Sequence, residues 1–199
     1  LYKINSQQSQ GKMELTKQEL LEQICGRKKP IFYNDEILNS AVCLSLAATN
    51  EKTVWKTVAA NRFSNKTIFD NSLSISGASL AKHLDGCKKA ALFCVTLGDD
   101  FDRLIEKTKY ENLELAYLID QCGLILVEKL CDKTQSDIYD ANGKKITARF
   151  SIGFDDTKLA EQQDFLNFLN APKLIGVSTT KGDMMRPTKS VTGVIGIYD

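Results

Sequence analysis

Apolar residues recur at helical spacing in two segments near the start of the chain. Over 14–25, Thr16 precedes Glu19 by three residues, which is the form of a capping box at the start of a helix. A second helix is predicted over 34–48, capped by Asn34 or by the aspartate that follows it. Each predicted helix must bury its apolar face against a sheet or another helix.

The next stretch has the composition of strands. Residues 53–75 are rich in Thr, Val, Ile and Phe, which favours extended segments and turns over a long helix. A short helix is predicted from Ser76, with Gly86 as the left-handed residue that ends it. Residues 90–95 are continuously apolar, which predicts a buried strand.

Three further helices are predicted in the second half of the chain. Gly98 permits a tight turn, and an aspartate after it can cap a helix that runs through Ile105. The longest helix is predicted over 111–134, with a broad apolar stripe and a charged edge. Another is predicted over 159–169 and ends at the Asn-Ala-Pro sequence of 170–172.

Three strands are predicted among these helices. An Asn-Gly turn leads into 146–152, where apolar and polar residues alternate, and 174–177 is a short apolar run. The last strand is predicted over 191–198, where Gly193 and Gly196 leave room for a ligand or a neighbouring backbone. Because helices and strands do not alternate as βαβ units do, we expect an α+β fold with a largely antiparallel sheet flanked by helices.

The ends of the chain and its charge narrow the possible classes of protein. Residues 1–12 are polar, and Met13 resembles a natural start, so we expect a disordered or vector-derived leader followed by one domain over 13–199. The chain has 26 Lys and Arg against 25 Asp and Glu, a net charge of +1, which disfavours a nucleic-acid partner. Apolar runs are far shorter than the roughly 20 residues of a membrane helix, so no membrane partner is expected.

The cysteines predict neither a metal site nor a disulfide framework. Six cysteines are scattered singly along the chain, without a CxxC pair, and His83 is the one histidine. Four of them lie in apolar runs, where a reduced cysteine behaves as a small apolar residue. We therefore expect a cytoplasmic protein with reduced thiols and no bound metal.

Two segments of the last third carry the candidate chemistry. The first is Arg149-Phe-Ser-Ile-Gly153-Phe154, in which an arginine is followed by three residues, a glycine and an aromatic residue. The second runs over 176–193 and contains Met-x-Pro-x-x-Ser-Val. The first pattern is frequent by chance, but the two at this separation form a specific signal.

Together the two segments resemble the activation domain of cobalamin-dependent methionine synthase, in which such a hexad contacts S-adenosylmethionine. The resemblance extends loosely over most of the chain, and its specific part is the last third. It implies the fold of that domain in a free-standing form. The second segment aligns without a gap at Gly176, Thr180, Met185, Pro187, Ser190, Val191, Thr192 and Gly193.

The resemblance also implies ligand contacts, since S-adenosylmethionine presents a carboxylate, an amine, a flat adenine and a sulfonium. Arg149 can hold the carboxylate, Gly153 lets the backbone approach, and Phe154 can offer its ring to the adenine or the sulfonium. Glu128 on the long helix is a candidate for the amine. The alternatives are a surface ion pair for Arg149, a core ring for Phe154 and a solvated carboxylate for Glu128. The further implied contact positions are Ser151, Ser190 and Ile195.

The sequence departs from the family pattern at several of these positions. Phe154 replaces a frequent tyrosine, Lys181 and Gly182 replace Glu and Ser, and Ile195 stands where the larger enzyme uses a tyrosine against the ligand. Ser190 is equally consistent with binding the ligand or with lying passively in the last strand. These differences predict a weaker affinity or a different ligand pose.

The function implied by the resemblance is reactivation of a cobalamin protein. A partner, methionine synthase or another corrinoid protein, would bring cobalamin, and a flavodoxin-like or other reductant would supply an electron. S-adenosylmethionine would then methylate the reduced cobalt as part of a methyltransferase system, without a catalytic acid or base from this chain. The Asp-x-His-x-x-Gly pattern of a cobalamin ligand is missing, because Asp85 follows His83.

Two other classes of function remain open. One is a docking module for a corrinoid protein that has lost S-adenosylmethionine binding, as Lys181 and Ile195 would favour. The other is an ordinary small-molecule methyltransferase, which the lack of a glycine-rich loop after an early strand disfavours.

Overall fold

An antiparallel sheet with helices on both faces forms the centre of the protein. The structure, a computed structural model, describes residues 3–5, 13–26, 33–143 and 145–198. The strands are β1 (Lys3–Asn5), β2 (Lys52–Phe63), β3 (Lys66–Phe69), β4 (Leu73–Ser76), β5 (Cys87–Thr96), β6 (Ser178–Thr179), β7 (Met185–Arg186) and β8 (Ser190–Tyr198). The helices are α1 (Lys17–Cys25), α2 (Asp35–Ala48), α3 (Ala78–His83), α4 (Asp99–Glu111), α5 (Leu113–Asn142), α6 (Gln162–Phe168) and α7 (Ala171–Leu174), with a 3-10 turn at Leu159–Glu161.

The order of the main sheet is β4-β3-β2-β5-β8, and β1 also pairs with β2. Neighbouring strands of this sheet run antiparallel, so the predicted α+β class is confirmed. The parallel, doubly wound sheet of a nucleotide-binding methyltransferase is therefore not the arrangement of the described strands. β1 lies within the segment expected to be a leader, whose other residues, 1, 2 and 6–12, are outside the described part of the chain.

The central strand β5 is buried on both faces, because side chains alternate along a strand. Phe93 and its same-face neighbours pack against α1, α2, α4 and α5. Leu92 and its neighbours pack against α3, α6 and α7. The continuous apolar run that predicted this strand thus reflects two separate apolar layers.

Several helix signals in the sequence are confirmed. Thr16 and Glu19 form the predicted capping box of α1, and the Asn34 side chain accepts the Glu36 amide at the start of α2. Helix α5 begins one residue after its cap, Asn112, and ends at Gly143, whose backbone is left-handed. It extends to Asn142, well beyond the predicted end at 134, because Ile138 continues the buried stripe through an otherwise polar last turn.

The structure corrects the predicted starts of two helices. The cap residue of α4 is Gly98, with no side-chain cap bond, so the predicted aspartate cap is wrong. The short helix α3 starts after Ser76 and Gly77, because Ser76 still belongs to β4. Gly86 lies in the turn that follows this helix, with a φ of +77°.

Two predicted strands are also wrong. Residues 146–152 make only isolated bridges to β8, at Ile146 and Phe150, and do not form a regular ladder. Beside them, the Thr147 hydroxyl accepts the Gly196 amide at 2.8 Å, so a side chain takes the place of a ladder partner. The apolar run over 174–177 begins with the last residue of α7 and does not form a strand. The first turn of α7 accommodates the proline that was expected to stop the preceding helix.

Candidate functional site

The first sequence motif lies against the edge of β8. The amide of Phe150 donates to the Val194 carbonyl at 2.9 Å, and the Val194 amide donates back to Phe150 at 2.8 Å. A turn follows, in which the Gly153 amide donates to the Thr157 hydroxyl at 3.0 Å. Gly153 has a φ of +86°, and a Cβ there would lie 2.9 Å from Leu159 Cδ1, so the turn itself requires a glycine.

A groove of about 690 Å³ separates this motif from α3. The His83 ring lies 5.3 Å from that of Phe150, which in turn meets the Phe154 ring edge-on at 6.0 Å. Phe154 is 66% exposed, so it is not the core ring that was its alternative. Lys82 and Ser151 also line the groove, which therefore combines aromatic surface with polar groups.

His83 is a groove residue that the sequence analysis considered only as a metal or cobalamin ligand. Its Nε2 lies 2.9 Å from the Ala148 carbonyl oxygen and 3.0 Å from the Thr147 hydroxyl, which ties α3 to the motif. These partners are 64 and 65 residues away along the chain. No local signal could have identified the contact.

Asp156 holds the far end of the motif against the start of α3. Its carboxylate accepts the Ala78 amide at 2.6 Å and the Ser79 amide at 3.2 Å, and it also accepts the Ser79 hydroxyl. The hydrogen bond from the Ser79 hydroxyl is the main reason that the pKa of Asp156 lies below its ordinary value. Asp156 therefore fixes the width of the groove between α3 and the turn.

Replacing Asp156 by asparagine is expected to destabilise the protein at neutral pH and to leave it unaffected in acid. A carboxyl whose pKa is lowered by folding contributes stability above its unfolded pKa, and that contribution disappears as the pH falls through the folded pKa. Urea denaturation of both proteins across the pH range should show the difference shrinking on the acid side. Asp155→Asn is the matched control, and an equal effect at all pH values would contradict this role.

The Arg149 guanidinium contacts two carboxylates of α5. Its Nη2 donates to Glu128 Oε2 at 3.0 Å, and its Nη1 lies 2.9 Å from Asp132 Oδ1. Nη1 is buried and makes no hydrogen bond, so its contact with Asp132 is purely ionic. The structure thus brings Arg149 and Glu128 together as predicted partners of one site, and it shows the ion pair that was the alternative reading of Arg149.

The structure does not bring Ser190 and Ile195 into the groove. Ile195 is fully buried on the face of the sheet that packs against α5, together with Phe93. Ser190 is 7% exposed, and its hydroxyl donates to the Pro187 carbonyl at 2.6 Å and lies 2.9 Å from the Thr96 hydroxyl. Because alternate residues of β8 face opposite layers, the strand cannot present both side chains to one ligand.

Two of the buried thiols, those of Cys122 and Cys131, are poor nucleophiles. Burial raises the pKa of Cys122 to about 11 and that of Cys131 to about 12, so both thiols stay neutral. No group of three or more His, Cys, Asp or Glu residues that could hold a metal occurs among the described residues. Nor is any helix of that part long and apolar enough to cross a membrane.

Comparison with known proteins supports the fold alone. No family model and no curated protein matches the sequence. Among solved structures, the crystal structure of the MetH reactivation domain bound to AdoHcy matches with a TM-score of 0.61 and 13% sequence identity. The match covers 82% of this chain and 63% of that one, so this chain corresponds to less than two thirds of the matched chain. The protein therefore has an antiparallel α+β fold that is similar to the fold of the MetH reactivation domain.

Proposed function

We propose that this protein binds S-adenosylmethionine and supports the reductive remethylation of cobalamin on a partner, methionine synthase or another corrinoid protein. The observation that carries the proposal is the fold similarity, over 82% of the chain, to a domain whose crystal structure holds AdoHcy. The Arg149 motif, beside a groove and against the last strand, adds a second and independent support.

The groups around the groove fit the chemistry of this ligand. Arg149 Nη1 makes an ionic contact with Asp132 but no hydrogen bond, so it could donate one to a ligand carboxylate that takes the place of Asp132. Phe154 and His83 offer ring surface for the adenine or for the sulfonium. Glu128, the ion-pair partner of Arg149, would attract the amine. In this proposal Gly153 shapes the turn, while Ser190 and Ile195 support β8 from within the core.

When bound, S-adenosylmethionine would supply a methyl group for reduced cobalt, with its sulfonium converted to the neutral thioether of AdoHcy. The chain's own residues bind and orient the donor and shield it from water. Arg149 and Glu128 hold the amino acid end, and the aromatic groove holds the nucleoside end. The corrinoid, and the one electron that reduces its cobalt, come from other proteins.

Calorimetry with S-adenosylmethionine and AdoHcy tests the binding half of the proposal. We expect saturable binding of both ligands at one site per chain. The second half is tested by mixing the protein with a cobalamin-bearing methionine synthase fragment, a chemical reductant and S-adenosylmethionine, and following methylcobalamin by its absorbance. Binding without methylcobalamin would leave a ligand-binding protein and remove the reactivation role.

A docking module that has lost ligand binding is the second candidate. It is favoured by the ion pairs of Arg149 with Glu128 and Asp132, which already satisfy the guanidinium charge, and by the burial of Ile195. This candidate predicts no heat with either ligand, together with measurable binding of the cobalamin-bearing fragment.

A further inference from the structure

Asp132 and Arg149, which contact each other, line two different grooves. On one side is the aromatic groove, which Arg149 lines. On the other side is a groove of about 440 Å³ between α5 and Ile146, which Asp132 lines together with Gln135, Ser136 and Tyr139. The 2.9 Å contact between Asp132 Oδ1 and Arg149 Nη1 therefore joins the lining of one groove to the lining of the other.

The two carboxylates that hold Arg149 are not equivalent. Glu128 accepts a hydrogen bond from Nη2, whereas Asp132 makes an ionic contact with Nη1 and accepts no hydrogen bond from it. The Asp132 side chain is 72% exposed, and the Arg149 side chain is only 25% exposed. An ion pair whose carboxylate is mostly exposed and accepts no hydrogen bond contributes little, so Asp132 is the partner that separates first.

A ligand carboxylate would need the position that Asp132 holds. Nη1 is a buried guanidinium nitrogen without a hydrogen bond, and an incoming carboxylate would therefore gain a charge-assisted hydrogen bond there. A ligand carboxylate would be the third around one guanidinium, after Glu128 and Asp132, and carboxylates in contact repel each other. Asp132 can turn into the second groove, where Gln135 and Ser136 offer polar groups.

We infer that Asp132 is a specificity-determining residue that competes with the carboxylate of the ligand for Arg149. The inference rests on the proposed binding of S-adenosylmethionine-type ligands. Its consequence is that removing the Asp132 charge strengthens binding of ligands that carry a carboxylate. It has no such effect on a nucleoside that lacks one.

Three probes separate this role from a general effect on the site. AdoHcy carries both the carboxylate and the amine, its deamino analogue carries the carboxylate alone, and 5′-methylthioadenosine carries neither. For Asp132→Asn, we expect the deamino analogue to bind about threefold to tenfold more tightly, the size of one exposed ion pair or slightly more. The affinity for AdoHcy should rise less, because its amine loses a nearby carboxylate. The affinity for 5′-methylthioadenosine should not change.

Two control variants, together with the unaltered protein, show whether the role of Asp132 or the whole proposed function is wrong. Asp140→Asn removes the same charge from an exposed position further along α5 and should leave all three affinities unchanged. Asp132→Ser repeats the test with a different side chain. If the unaltered protein binds none of the probes, the proposed function is wrong and the inference with it. If it binds them and Asp132→Asn weakens the deamino analogue, or shifts all three probes equally, the inference alone is wrong.

Discussion

Replacing Arg149 by alanine is expected to weaken AdoHcy binding by about 10- to 100-fold, the range for losing hydrogen bonds to a charged group. The guanidinium is held in place by Glu128 and Asp132, so its geometry is set before a ligand arrives. Its loss also leaves those two carboxylates facing each other without a cation, which repels a ligand carboxylate further. Calorimetry with AdoHcy is the measurement.

A second ligand and a control variant show whether Arg149 acts on the ligand carboxylate. Binding of 5′-methylthioadenosine should hardly respond to Arg149→Ala, because that nucleoside has no carboxylate. Arg103→Ala is the matched control, since Arg103 makes an exposed ion pair with Asp100 on α4. The AdoHcy affinity of Arg149→Lys should lie between those of Arg149→Ala and the unaltered protein, because an ammonium keeps the charge but not the paired donors. Equal losses for both ligands would mean that Arg149 acts through the structure and not on the carboxylate.

Replacing Gly193 by alanine is expected to destabilise the protein by about 2–4 kcal/mol, at or above the usual range for overpacking a core. A Cβ at this position would lie 2.5 Å from Cε1 and 2.6 Å from Cζ of Phe93, its partner on β5. Phe93 is fully buried in the apolar layer under α5, so its ring has no free direction in which to move. Urea denaturation should show a lower midpoint with an unchanged slope.

Gly182 provides a control for this substitution. The nearest atom to a Cβ there is Thr180 Oγ1 at 4.0 Å, and Gly182 is exposed, so Gly182→Ala should be close to neutral. Combining Gly193→Ala with Phe93→Leu should recover part of the lost stability, because the smaller side chain makes room for the methyl group. A midpoint for Gly193→Ala equal to that of the unaltered protein would show that the strands separate more easily than their packing indicates.

Gly193 also shows that a glycine can be needed for close packing where the sequence suggested space for a ligand. The sequence suggested that this glycine leaves room for a ligand or a neighbouring backbone. The space is filled instead by the Phe93 ring, and at Gly196 a Cβ would meet Cys87, Thr147 and Leu84. A pattern of small residues in a strand indicates close approach, but it does not identify what approaches.

Local signals in the sequence determined most of the elements of this fold. The capping box of α1, the Asn34 cap and the apolar runs of β5 and β8 depend on residues close together in the chain, and each is confirmed. The irregular succession of these elements was enough to predict an antiparallel α+β fold. The strand prediction failed at 146–152, which makes only isolated bridges. Alternating apolar and polar residues indicate that one face of a segment is buried, but they do not show that its backbone pairs regularly with a neighbouring strand.

The sequence by itself also indicated which stretch carries the candidate chemistry, because Arg149, Gly153 and Phe154 have a recognisable spacing. Only the tertiary structure decided what their side chains meet. It paired Arg149 with Glu128 and Asp132, placed His83 beside Phe150, and buried Ile195 on the face of β8 that packs against α5. The physical reason is that caps and strand patterns arise from neighbours along the chain, whereas a binding groove is formed by residues that come together only when distant segments pack.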